Sequence, residues 1–263
     1  MAWGLYNPSH ADKSKVTDTF HKSVPAADFT QIDVETVNGG ITVQGYDGGE
    51  VDIVTEMTVT GPKQDVCEEL IKKIEVKVTG DREILRIEAD TPVKFRYSCS
   101  VSFEIKAPRS FKAKCESTNG DIEVNELQGG IDASTVNGAV RGNNITGGAR
   151  VETTNGAIKL RGIQGDTYGE AVNGSIELVF DDGNPQKVHL ETVNGRISAR
   201  YQTVLDAVVS AETINGSLEV AGKEVKKTGW IGKRYNREFG SGRGKYNFET
   251  VNGEIQLDFP EGE

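Results

Sequence analysis

The chain has 263 residues, 31 of them glycine, with 36% hydrophobic residues and a formal charge of −10. That balance suits a turn-rich β protein with a thin core better than a helical bundle. It also argues against nucleic-acid binding, which needs positive surface to displace phosphate counterions. Cys67, Cys99 and Cys115 are an odd number without C-x-x-C spacing. They indicate neither a disulfide framework nor a zinc site and read as small buried side chains, although one bridge plus one free thiol fits the count. No stretch approaches the roughly 20 apolar residues of a membrane span. The opening Met1-Ala2-Trp3-Gly4 lacks the charged-then-apolar pattern of a secretory signal.

In chain order, residues 1–23 are polar and aperiodic and read as an extended or mobile leader. Phe29, Ile32 and Val34, followed by Asn38-Gly39 and then Ile41 and Val43, predict two strands joined at a corner. Alternation at Val51, Ile53, Thr55, Met57 and Val59 predicts a third. A helix is expected over residues 65–74: Asp65 can cap it, Glu68 completes a capping box, and Val66, Leu70, Ile71 and Ile74 share a face. Further strands are expected around Val76, Ile87 and Phe103. At Pro108 the chain starts again, with Phe111 ahead of Asn119 much as Phe29 lies ahead of Asn38.

From there one phrase, Thr-Val-Asn-Gly-x-Ile, organises everything. Its asparagines are Asn38, Asn119, Asn137, Asn155, Asn173, Asn194, Asn215 and Asn252, and from Asn119 onward they are 18, 18, 18, 21, 21 and 37 residues apart. Such repeats are too short for helical-pair solenoids, which need about 33 residues, and suit coils of short strands. Three positions after each Asn the residue is aliphatic: Ile41, Ile122, Val140, Ile158, Ile176, Ile197, Leu218 and Ile255. Five positions after, Val124, Leu160, Leu178, Val220 and Leu257 repeat the pattern. Gly129, Gly147 and Gly165 mark a second corner. The expectation is an all-β, right-handed parallel β-solenoid (β-helix) with 18–21-residue coils and one short helix. It comprises the leader (1–23), an N-terminal block (24–112) and the repeat array (113–263), in one elongated body. Each Asn-Gly is expected to form a tight corner, glycine tolerating positive φ there. Strand parity turns Asn inward with the Thr two before it. The amides of Asn119, Asn137, Asn155, Asn173, Asn194, Asn215 and Asn252 then form a structural ladder.

These phrases, the Pro-Phe leader before Asn119 and the single helix together resemble the bacterial family labelled "putative adhesin", a β-strand-repeat domain of unknown function. The resemblance covers residues 24–259 and implies a β-solenoid associated with the cell envelope or the extracytoplasmic space. It brings no catalytic residues.

Two surfaces are left over once the repeat is accounted for. Three residues before each Asn stands an acid, as in Glu35, Glu116, Glu152, Glu170, Glu191, Glu212 and Glu249, with Ser134 the exception. Glu152, Glu170, Glu191 and Glu212 are therefore a candidate cation or acidic face. The competing reading is a solvated face neutralised by Lys114, Arg150 and Lys159. The second surface is an insertion at about 222–247, basic and aromatic in an acidic chain. Lys226, Lys227, Trp230, Lys233, Arg234, Tyr235, Arg237 and Arg243 are its candidate contacts for an anionic partner. Its competing reading is a hairpin that covers the end of the array.

Catalytic signatures are scarce. His10, His21 and His189 show no metal-ligand spacing, and no Gly-x-Ser-x-Gly elbow or phosphate loop occurs. Asp166, Glu170, Asp181 and Asp182 are the acids that a polysaccharide hydrolase or lyase on this scaffold would use. The expectation is a non-enzymatic structural or interaction module with no cofactor and no metal. Its partner would be an envelope polymer, a lipid headgroup or a protein.

Overall fold

A computed structural model describes residues 13–181, 185–226 and 232–260. The N-terminal elements are β1 (Ser14–Pro25), β2 (Gln31–Asn38), β3 (Ile41–Tyr46), β4 (Glu50–Gly61), α1 (Gln64–Ile71), β5 (Glu75–Asp81), β6 (Ile84–Asp90) and β7 (Ser98–Pro108). The repeats follow as strand pairs on either side of an Asn-Gly corner. They are β8 (Lys112–Asn119) with β9 (Ile122–Asn125), β10 (Ile131–Asn137) with β11 (Val140–Ile145), and β12 (Ala149–Asn155) with β13 (Ile158–Ile163). Next come β14 (Thr167–Asn173) with β15 (Ile176–Phe180), β16 (Lys187–Asn194) with β17 (Ile197–Tyr201), and β18 (Ala207–Asn215) with β19 (Leu218–Val220). The chain ends with β20 (Lys223–Glu224), β21 (Lys233–Glu238), β22 (Gly244–Asn252) and β23 (Ile255–Asp258).

These strands form two open sheets. One has twelve strands in the order β1-β4-β7-β3-β9-β11-β13-β15-β17-β23-β19-β20; the other has eleven, in the order β21-β18-β22-β16-β14-β12-β10-β8-β2-β6-β5. Between successive Asn-Gly rungs every neighbour is parallel, and the Asn residues are register partners throughout; β20 and β21 of the insertion pair antiparallel with β19 and β18. The aliphatic position three after each Asn is in register too, so Ile41, Ile122, Val140, Ile158, Ile176, Ile197, Ile255 and Leu218 form one buried line. Each such side chain contributes about 1.5–3 kcal/mol by leaving water. No single rung could bury its apolar edge without the next.

Four features depart from the sequence reading. Ser14–Pro25, expected to belong to a mobile leader, is a twelve-residue strand paired antiparallel with β4. Its alternation is weak because only Val16, Phe20 and Val24 pack against the core. Helix α1 starts at Gln64 with Lys63, not Asp65, at its N-cap position, and has no side-chain cap; Asp65 lies in the first turn, where it complements the helix dipole. Cys67, Leu70 and Ile71 face the core, with Ile74 just beyond the helix. The third departure is the order of the last rungs. The β22-β23 pair, last in sequence, sits between β16-β17 and β18-β19, so the Asn252 rung lies between those of Asn194 and Asn215.

The fourth concerns the corners. Among the Asn-Gly glycines only Gly39 has a positive φ, +138°. Glycine is required there for another reason. A Cβ on Gly156 would meet the Gly138 carbonyl oxygen at 1.8 Å, and a Cβ on each equivalent glycine would meet a neighbouring carbonyl oxygen at 1.6–2.1 Å. Positive φ belongs instead to the second corner, at Gly130 (+87°), Gly148 (+88°) and Gly165 (+102°). All three cysteines are free and buried, and burial pushes the Cys115 thiol up to about 12.

Candidate functional site

The corner itself is fully occupied by structure. Each Asn Nδ2 donates to the Oδ1 of the Asn on the adjacent rung at 2.8–3.0 Å, from Asn215 through Asn252, Asn194, Asn173, Asn155, Asn137 and Asn119 to Asn38, which accepts. The Asn side chains are not inward. Alternation breaks after the Thr, so that Val136 and Asn137, for example, are both exposed. The buried member is the Thr two before Asn. Thr135, Thr153, Thr192, Thr213 and Thr250 donate to a corner glycine carbonyl one rung away at 3.0–3.3 Å. Ala171 is the one rung without this hydroxyl.

Three residues before the corner Asn, the acid column is in register across the eleven-stranded sheet. Its order in space is Glu88, Glu35, Glu116, Ser134, Glu152, Glu170, Glu191, Glu249 and Glu212, with Arg234 of β21 beside Glu212. Adjacent rungs are about 4.8 Å apart. A line of apolar side chains runs next to it, of which Val37, Val136, Val172 and Ile214 are 43–50% exposed. Between the two lines lies an open groove of about 390 Å³ lined by Glu152, Glu170, Glu191, Val136 and Val172.

The column on the other side decides how these carboxylates are balanced. It runs Arg86, Asp33, Lys114, Asp132, Arg150, Tyr168, His189, Asn247 and Ser210. Lys114 Nζ is 2.7 Å from Glu116, Arg150 is 2.6 Å from Glu152, and Arg234 holds Glu212 through two nitrogens at 3.0 and 2.7 Å. Lys159 is on β13, in the other sheet, and has no part in this balance. Beyond Arg150 the cations stop. The Arg150 guanidinium lies 4.4 Å from the Tyr168 ring centre, and Tyr168 stacks on His189 at 5.2 Å. The Tyr168 hydroxyl donates to Glu170, and Asn247 Nδ2 donates to Glu249 at 2.6 Å and lies 3.2 Å from His189 Nδ1. His189 Nε2 is 3.7 Å from Glu191. Among the described residues, no Lys or Arg pairs with Glu170, Glu191 or Glu249. Glu170, His189 and Glu191 each offer a ligand atom within 4.8 Å of the other two. Scanning histidines for spacing in the linear sequence misses this group, because it joins His189 and Glu191 on one strand to Glu170 on the next.

The basic insertion is largely engaged with the body. Lys233 pairs with Glu224 at 2.7 Å, Arg234 with Glu212, and Arg243 with Asp206 at 3.3 Å. The Ser241 hydroxyl and N–H, together with Arg243, hold the Asp206 carboxyl below its ordinary range. Arg237 covers the Phe239 ring at 5.1 Å, and Tyr235 packs against the core. Lys226 is exposed; Lys227 and Trp230 lie outside the described residues.

The acids of the enzyme alternative do not converge. Asp166 accepts the Lys187 N–H at the second corner, Glu170 is on the outer face of one sheet, and Asp181 accepts from Gln202 at the end of a strand of the other. Asp182 lies outside the described residues.

No protein-family description and no curated protein matches the sequence. Solved structures do. A protein described as a putative adhesin from Bacteroides fragilis is 18% identical, with 91% of this chain and 97% of the other covered and a TM-score of 0.50. The chain shares that fold. A putative cell adhesion protein from Clostridium sporogenes matches at 14% identity, with 92% and 99% covered and a TM-score of 0.36. A putative lipid binding protein from Parabacteroides distasonis matches at 12%, with 92% and 95% covered and a TM-score of 0.32. The resemblance carried by the Asn-Gly phrases thus has a counterpart in the fold of a protein bearing the adhesin description. Among the described residues, no helix is long and apolar enough to cross a membrane.

Proposed function

We propose that the chain is a non-enzymatic structural or interaction module of the bacterial cell envelope, wound as a right-handed parallel β-solenoid with 18–21-residue coils. The observation that carries the reading is the outward face of the eleven-stranded sheet, where an acid column broken only at Ser134 runs in register over eight Asn rungs beside a column that is Val or Ile except at Thr118 and Thr154. Such a face suits one long contact with an envelope polymer or protein. Right-handed winding follows from the strong preference of parallel crossovers for that hand. The envelope setting comes from the family resemblance.

A polysaccharide hydrolase is the weaker reading. Glycosidases place two carboxyl groups on opposite sides of the scissile bond, whereas the acids here stand side by side on one surface. The insertion is best read as the cap of the array's end, its charges held by Glu212, Glu224 and Asp206.

Co-sedimentation of the chain with envelope fractions and anionic vesicles tests both surfaces. Glu152→Ala with Glu170→Ala is expected to weaken envelope binding, while neutralising Lys226, Lys233 and Arg234 leaves it intact. Salt-sensitive binding lost only in the second set would move the contact to the insertion. Release of reducing ends from an envelope polysaccharide would overturn the non-enzymatic reading.

A further inference from the structure

We propose that Glu170, His189 and Glu191 form a surface site for a divalent transition-metal ion of the zinc type, independent of the interaction reading above. Three observations meet at this point of the acid column. The first is the local charge. Glu170, Glu191 and Glu249 are register neighbours on three successive strands, where like charges repel. The column before them alternates Arg, Asp and Lys, and Glu116, Glu152 and Glu212 each hold a cation. At Glu170 that supply ends, and the structure places Tyr168, His189 and Asn247 where the cations would be.

The second is donor chemistry. The group supplies two carboxylate oxygens and one imidazole nitrogen within 4.8 Å of one another. A zinc ion binds such atoms at about 2.0–2.2 Å with three protein ligands and an open position for water. Calcium takes oxygen ligands, so the imidazole selects for a transition metal, which carboxylate-only rungs of the same column would not do.

The third is support. The imidazole is held by stacking on Tyr168, itself covered by Arg150. The Tyr168 hydroxyl orients Glu170. Groups of this kind around a metal fix the orientation of its ligands. Because both faces of the Tyr168 ring are covered, by Arg150 and His189, the stack does not offer a platform for a sugar ring.

The experiment is a calorimetric titration of the full chain, without an affinity tag and after chelator treatment, with zinc chloride. One equivalent is expected to bind. His189→Ala and Glu191→Gln are each expected to weaken it by at least about tenfold, with melting temperatures and circular dichroism close to wild type. His21→Ala, on an exposed strand remote from the site in sequence, serves as the control and leaves binding unchanged. Cobalt supplies a second readout: its visible absorption should report nitrogen–oxygen ligation in wild type and change in His189→Ala. No zinc uptake by the wild type, an unchanged isotherm in His189→Ala, or displacement of zinc by an equal concentration of calcium overturns the proposal.

Discussion

Two columns only a few residues apart follow the same repetition to opposite ends. At the corner, identical amides stand one rung apart and each donates to the next, from Asn215 to Asn38. Three residues earlier, identical carboxylates stand at the same spacing and have nothing to donate. An amide carries donor and acceptor together, so repeating it builds a ladder. A carboxylate accepts only, so repeating it accumulates repulsion that must be balanced from outside the column. The molecule does this with Lys114, Arg150 and Arg234 on some rungs and, among the described residues, leaves Glu170, Glu191 and Glu249 without a Lys or Arg partner.

The comparison can be broken most severely at the corner. Gly156→Ala puts a Cβ against the Gly138 carbonyl, a backbone atom that cannot step aside without opening the rung. It is expected to destabilise by more than about 3 kcal/mol in denaturant unfolding. Next in size is the buried hydroxyl. Thr153→Val leaves the Gly138 carbonyl without its side-chain donor and should cost about 1–2 kcal/mol. The converse Ala171→Thr, which gives the Gly156 carbonyl the donor its counterparts have, should stabilise by about 0.5–1.5 kcal/mol. A loss in Ala171→Thr would show that this rung is built differently.

Smaller still is the exposed ladder. Asn155→Ala removes two bonds, to Asn137 and from Asn173, with an expected loss of about 0.5–1.5 kcal/mol because water replaces part of each. The acid column should respond least and with opposite sign. In chelator-treated protein, Glu191→Gln is expected to gain about 0.2–0.5 kcal/mol at low ionic strength. That gain should fade as salt shortens the screening length.

Much of this architecture could be read from the residues because the Asn-Gly phrase supplies one fixed point per rung. Counting from it located the columns of Ile122, Val140 and Ile158, the second corner at Gly147 and the acid line at Glu152. What escaped has physical reasons. Strand β1 is exposed along most of its length and so lacks a clear period. Burial of Thr153 in place of Asn155 follows from a break in alternation at the corner that strand parity does not contain. The Glu170–His189–Glu191 group depends on which strands are neighbours, not on spacing along one. The position of the Asn252 rung was hidden because an interval of 37 residues fixes how much chain intervenes, not which gap the chain returns to.

That returning rung has a consequence for how the protein is made. Most repeat arrays can be shortened from one end and grown from the other, since each unit rests on the one before it. Here β18 and β19 take hydrogen-bond partners that are synthesised after them. A ribosome releasing the chain up to residue 240 would present the Asn215 coil with an empty space where its neighbour belongs. The stack can close only when β22 and β23 have been made and lie between the two coils, so strands later in the chain complete an interior that earlier ones leave open.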